Sequence, residues 1–308
     1  MRRILALLAV LLMATGCAGP LLLDDKGALA IVPYRISESG QIVIDVMVEG
    51  KGPYVFALDT GASITVIFDD ARKKAGVSPQ SEKEALIHGM VGTGRFPLIT
   101  VGQLQVGGAS WGNARIASMP GNDTDGRGLD GILGIDFLSQ FAVAISADEN
   151  VVRFHNRELV AERYYQGWSS IPLRRMRVGS GNATAYTIEL VIDGHQVPAL
   201  FDLGSSVNVM NWRAARAVGA RPVRARRQSR ISGVIDDAPV SAQLRVWVLR
   251  ITNLYWRNRT FLIADFPIFE ILELDDRPIS IVGTGLFSDH SIVVDFSRER
   301  LLVRKLKK

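Results

Sequence analysis

The chain repeats itself, and the repeat limits what it can fold into. Ile44-Asp-Val-Met-Val-Glu-Gly50, followed by Phe56-Ala-Leu-Asp-Thr-Gly-Ala-Ser63, returns as Ile188-Glu-Leu-Val-Ile-Asp-Gly194, followed by Leu200-Phe-Asp-Leu-Gly-Ser-Ser206. Asp59 and Asp202 stand 143 positions apart, as do Gly76 and Gly219. Gly89 and Gly233 are 144 apart; Leu104 and Leu249, Trp111 and Trp256, and Asn113 and Asn258 are each 145 apart; Gly134 and Gly283 are 149 apart. An offset that drifts slowly across matching residue types is the mark of a duplication with small loop insertions.

Each copy reads as mostly strand. Gln41 to Val48 and Tyr186 to Ile192 largely alternate apolar and polar residues, as strands with one buried face do. Gly50-Lys-Gly52 and Asp193-Gly194 supply hairpin turns. Short helices are expected at Asp69 to Ala75 and Asn211 to Val218, N-capped by Asp69 or Asp70 and by Asn211, and closed by Gly76 and Gly219. Hydrophobic residues make up 47% of the 308 and charged ones 22%, enough to bury a core in an ordinary all-β domain pair.

The motif Phe56-Ala-Leu-Asp59-Thr60-Gly61-Ala62-Ser63 is followed by Asp130-Gly-Ile-Leu-Gly134-Ile-Asp-Phe-Leu138. Together they resemble the retropepsin-like aspartic proteases over residues 30 to 157. The resemblance recurs more weakly over 170 to 305, through Phe201-Asp202-Leu203-Gly204-Ser205-Ser206 and Ile281-Val282-Gly283. It implies two tandem β-barrel lobes related by a pseudo-twofold axis, at 29–160 and 170–308 with a 161–169 linker. Pepsin-like enzymes likewise carry both lobes on one chain.

The resemblance also implies a peptidase. Two carboxyls held about 3 Å apart share one proton at moderate pH, so one member acts as base and the other as acid on a bound water and a peptide carbonyl. Asp59 and Asp202 are the expected pair. Thr60, Gly61, Ser63, Gly204 and Ser205 are the expected turn supports, with Thr60 bonding across the lobe interface. Leu203 departs from the family pattern, which has threonine or serine there; an unbonded N–H behind it would weaken the turn, and a Ser205 bond to the outer oxygen of Asp202 would compensate. Gly89, Gly92, Gly94 and, in the second copy, Gly233 mark expected flap hairpins over a peptide or protein substrate. No metal or organic cofactor is implied. The rival reading is a binding protein that keeps the fold without turnover.

The N-terminus reads as a targeting segment. Arg2 and Arg3 precede an apolar run from Ile4 to Ala14, too short for the ~20 residues of a membrane span. Ala14-Thr15-Gly16-Cys17 resembles a bacterial lipobox, which implies a 1–16 signal peptide, a lipid on Cys17 and a 17–28 tether. Ala18 rather than aspartate after the cysteine points, by the same resemblance, to the outer membrane, facing the periplasm. Cys17 is the only cysteine, so no internal disulfide forms. A monomer is expected.

Other classes lose support. Without Arg2 and Arg3 there are 34 basic against 31 acidic residues, near +3, which does not call for a nucleic-acid partner. The basic run Arg221, Arg224, Arg226, Arg227 and Arg230 reads as a solvated stretch, with anionic lipid as the sharper alternative. Asp123-Thr-Asp125-Gly126 lacks the closing glutamate of a calcium loop. Val282-Gly-Thr-Gly285 lacks the Lys-Ser/Thr of a phosphate loop. His88, His155, His195 and His290 show no ligand spacing, and there is no Gly-x-Ser-x-Gly elbow.

Overall fold

The computed structural model describes residues 27–79, 83–90, 92–121, 128–156, 165–219, 221–224, 230–232 and 237–306, except 179–182. The fold is all-β, with two closed six-stranded barrels.

In the first barrel the strands Ile42–Val48, Lys51–Leu58, Gly131–Leu133, Val66–Phe68, Ala109–Met119 and Thr93–Val106 pair in that spatial order. Met47 opposite Gln105 and Val48 opposite Leu104 close the ring. In the second, Ala183–Ile192, His195–Asp202, Ser280–Gly283, Asn208–Met210, Leu254–Ile263 and Ala242–Ile251 repeat it. There Val191 opposite Arg250 and Ile192 opposite Leu249 close the ring. The alternation expected from sequence builds these cores. Ile42, Ile44, Val46 and Val48 are buried on one face, while Asp45 and Met47 are partly exposed on the other.

The predicted turns and helices are present with small shifts. The first hairpin turns at Glu49-Gly50 rather than at Gly50 to Gly52, and the second at Asp193-Gly194. The helix Asp69–Ala75 closes on Gly76 in the left-handed region, φ 76°. Its start has no side-chain cap: Asp69 lies in the first turn, where it accepts from Ser118 Oγ at 2.7 Å and Arg72 Nε at 3.2 Å. The helix Trp212–Ala217 is capped as expected, with Asn211 Oδ1 accepting from Ala214 N at 2.8 Å. Asn113 and Asn258, matched by the repeat, both have positive φ, 50° and 54°.

A further six-stranded sheet underlies both barrels, in the order Ala28–Pro33, Val151–Asn156, Phe141–Ser146, His290–Asp295, Arg300–Lys305, Ser169–Pro172. Its three strands on one side flank the first barrel in sequence, Ala28–Pro33 before it and the other two after it, and the three on the other side flank the second in the same way. Ala144 pairs with Val293, its own copy at the 149-residue offset of Gly134 and Gly283. The pseudo-twofold axis therefore passes through this central pair. Ser169, the last residue of the expected linker, already belongs to this sheet. The expected lipidation site Cys17, the expected signal segment and Gly233 of the expected second flap lie outside the described residues. Among the described residues no helix is long and apolar enough to cross a membrane.

Candidate active site

Each aspartate sits where a strand leaves the barrel floor and turns toward the other lobe. The strand Lys51–Leu58 runs parallel to Gly131–Leu133, and His195–Asp202 runs parallel to Ser280–Gly283. The Ile-Leu-Gly and Ile-Val-Gly motifs thus lie beside the strand that delivers each carboxyl. Beneath the first turn, Ile135 N donates to Ala62 O at 2.8 Å and Gly134 N to Thr65 Oγ1 at 3.1 Å. Beneath the second, Thr284 N donates to Ser205 O at 3.0 Å. A side chain at Gly134 would strike the carbonyls of Ala62 and Ile64, and one at Gly283 those of Asp202 and Ser205, so both motifs need glycine for close backbone approach.

The turns interlock. A Cβ added to Gly61 would lie 2.6 Å from Asp202 Cγ, and one added to Gly204 would collide with the Asp59 carboxyl. Each glycine leaves the space that the opposite aspartate fills, so the two carboxyls lie close enough to act on each other's protonation. Asp59 Oδ1 accepts from Gly61 N at 2.7 Å and Ala62 N at 3.0 Å; Asp202 Oδ1 accepts from Gly204 N at 2.8 Å. Both residues stay partly accessible at the floor of a cleft.

Burial pushes Asp59 above the usual carboxylate range, against hydrogen bonds from Asp202 and from the N–H groups of Gly61 and Ala62. Asp202 is pushed well above it, by burial first and then by the Asp59 charge, with Gly204 and Ser205 N–H opposing. The pair therefore keeps a shared proton to higher pH than an isolated carboxylate would.

Thr60 bonds across the interface, as the resemblance implied. Its buried hydroxyl donates to Phe201 O at 2.8 Å and accepts from Leu203 N at 2.9 Å. The Leu203 N–H is thus satisfied, and Leu203 itself is 1% exposed. What Leu203 removes is the reciprocal hydroxyl toward the first turn. Ser205 does not compensate: its Oγ donates to Val207 O at 2.8 Å, not to Asp202, because the turn aims it along its own backbone. Ser63 bridges the lobes, donating to Thr184 O at 3.0 Å and accepting from Thr184 N at 3.2 Å.

Three supports were not singled out from sequence. Asp136, inside the quoted motif, takes both Thr65 N at 2.8 Å and Thr65 Oγ1 at 2.6 Å, and burial raises its pKa despite those bonds. Gln41 Nε2 donates to Gly204 O at 3.0 Å. Thr284 Oγ1 donates to Ser205 O at 3.0 Å and lies 3.3 Å from Gly40 O. For Asp136 the signal was present: an aspartate in an otherwise apolar run invites the question of what it bonds.

The cleft holds about 710 Å³ and is walled by Ile64, Val66 and Ile132 of lobe 1 and by Leu200, Leu272 and Ile281 of lobe 2. The hairpin Glu84–His88 with Thr93–Val106 covers it. At its tip Gly89 N donates to Gly92 O at 3.1 Å, and Gly94 lies close against the Phe96 ring. Met90 reaches the apolar cluster of lobe 2. Among the described residues no group of three His, Cys, Asp or Glu stands together as a metal site.

Residues 44–140 match the family described as gag-polyprotein putative aspartyl protease. That match and the two closed six-stranded barrels fit a duplicated retropepsin-like protein. The match falls on the first lobe, and the second lobe joins it through the repeated barrel and turn. Comparison with curated proteins gave no match. The match supports a protease-type function in general.

Proposed function

We propose that the chain is an aspartic endopeptidase whose single site takes Asp59 from one lobe and Asp202 from the other. The observation that carries this is the interlock, in which each glycine accommodates the opposite carboxyl. The ionised member takes a proton from a water as its oxygen adds to the peptide carbonyl carbon. The protonated member gives its proton to the carbonyl oxygen. Collapse of the tetrahedral diol then breaks the C–N bond, and the amine leaves with a proton from the pair. No acyl-enzyme forms. The substrate is an extended peptide lying under the Glu84–His88 hairpin, with apolar side chains on the cleft walls. One chain supplies both carboxyls, so the working unit is a monomer. We place it in the bacterial envelope, held by a lipid on Cys17 in the outer membrane and facing the periplasm.

Leu203 favours a second reading, a peptide-binding protein without turnover. Incubation with a diverse peptide library from pH 4 to 8, beside Asp59→Asn and Asp202→Asn, separates the two. Cleavage that disappears in both variants supports the peptidase. Peptide retention without cleavage by the folded parent, unchanged in Asp59→Asn, supports the binder.

A further inference from the structure

The duplication provides an internal control for surface features. Both barrels carry the same outer hairpin, Thr93–Val106 with Ala109–Met119 and Ala242–Ile251 with Leu254–Ile263. In lobe 1 Gln103 faces Gly112 and Gln105 faces Ser110. At the 145-residue offset, Val248 faces Arg257 and Arg250 faces Tyr255. The carboxylate at the bulge is kept as well: Glu49 accepts from Gly102 N, and Asp193 accepts from Trp247 N at 3.1 Å and Val248 N at 2.8 Å.

The outward side chains are not kept. Lobe 1 shows Thr100, Gly102, Gln103, Gln105, Ser110 and Gly112, which are small or neutral, with one arginine, Arg115, opposite Thr100. Lobe 2 shows Arg245, Trp247, Val248, Arg250, Tyr255 and Arg257 at the same places. Trp247 is 71% exposed and Tyr255 61%. Val223, paired with Gln243 on the adjoining edge strand, is 66% exposed. Among the described residues none of the three arginines has an ion pair; Arg250 Nη1 donates to Thr252 O at 3.2 Å. Asp193 is the acidic neighbour, and its oxygens are taken by backbone N–H groups. Folding does not explain Trp247, Tyr255, Arg250 and Arg257, since lobe 1 makes the same hairpin with Gly102, Ser110, Gln105 and Gly112 in their places.

We propose that this face docks on an anionic lipid bilayer. Tryptophan and tyrosine prefer the headgroup level, where the ring is dry and the polar edge is wet. Arginines beside them are drawn to anionic headgroups. Topology brings the chain entry to the same level. Leu29 and Ala30 pack on the Gly107-Gly108 turn, whose copy at the 145-residue offset is Thr252-Asn253, the turn of the lobe 2 hairpin. Points related by a twofold axis lie at equal height along it. A membrane lying across that axis and reached by the ten residues between Cys17 and Ala28, at most about 35 Å of chain, meets the lobe 2 hairpin end as well. The proposal is independent of the peptidase reading and uses the expected lipid for proximity alone.

The test places the full chain on vesicles of brominated phosphatidylcholine, with or without brominated phosphatidylglycerol, and reads the Trp247 emission as parent minus Trp247→Phe. Quenching is expected on the anionic vesicles, falling severalfold in about 0.5 M salt and in the folded Arg245→Gln/Arg250→Gln/Arg257→Gln variant. Unquenched Trp247 on anionic vesicles that carry the protein by flotation overturns the proposal, as does quenching indifferent to lipid charge. A lipid-free dimer that buries Trp247 would assign the face to a second copy and overturn it equally.

Discussion

In lobe 1 the aspartate turn is buttressed by polar side chains of its own lobe; in lobe 2 it is held largely by side chains that cross from lobe 1, Thr60 and Gln41. Thr60 grips lobe 2 with two hydrogen bonds, and the pair Thr65 and Asp136 buttresses the turn from below. At the matching places lobe 2 has Leu203, Asn208 and Gly285. Leu203 is buried without a hydroxyl to return the grip, and Gly285 is pressed against the Ser206 carbonyl. Thr284 takes over part of the support. One backbone thus presents two carboxyls by two means, and the hydroxyl of Thr60 serves both turns at once. The stability of the interface is therefore concentrated on the lobe 1 side.

The largest test of this asymmetry is chemical. Asp59→Asn and Asp202→Asn are each expected to lower peptide cleavage by about a thousandfold or more, as loss of an acid–base partner does. If Asp202→Asn keeps its rate, lobe 2 is scaffold and the comparison fails. Next, Thr60→Val leaves Phe201 O and Leu203 N buried without this partner. It is expected to cost about 2–4 kcal/mol in denaturant unfolding, two unsatisfied groups at about 1–3 kcal/mol each with partial relaxation. A loss within ±0.5 kcal/mol would show that the grip is dispensable.

A third test uses pH. A carboxyl whose folded pKa is raised contributes its stability at low pH and loses it as pH rises through the folded value. Asp202→Asn removes that loss while keeping the Oδ1 acceptor for Gly204 N–H. The melting midpoint of the variant should therefore exceed that of the parent by more at pH 7 than at pH 4; an equal difference at both would contradict the raised pKa. The smallest effect is expected from Leu203→Thr. A restored hydroxyl should add about 0.5–1.5 kcal/mol if it reaches the first turn, and no gain would mean that packing around Leu203 has closed that route.

The repeat made the lobes and the two aspartates legible in sequence, because each depends on a local turn and on a partner at a fixed offset; the Thr60 bond was legible only through the family resemblance. The buttress was not legible as such. Asp136 and Thr65 are 71 positions apart, and nothing local says that one will bond the other. Ser205 was misread for a related reason: its sequence position beside Asp202 does not fix the direction of its hydroxyl, which the turn sends to Val207. The reach of Met90 into the lobe 2 cluster depends on flap closure, which spans the whole cleft.

The sheet beneath the barrels has a consequence for any attempt to study one lobe alone. Its central strands, Phe141–Ser146 and His290–Asp295, cover each other's backbone edges. Dividing the chain between them would leave each half with a bare ladder of N–H and C=O groups, flanked by Val143 and Ile145 or by Ile292 and Val294. Such an edge recruits the nearest compatible strand, and for a separated lobe 1 that strand is its own twin, since Ala144 already lies opposite its copy. A single lobe in solution would accordingly rebuild the whole arrangement as a pair.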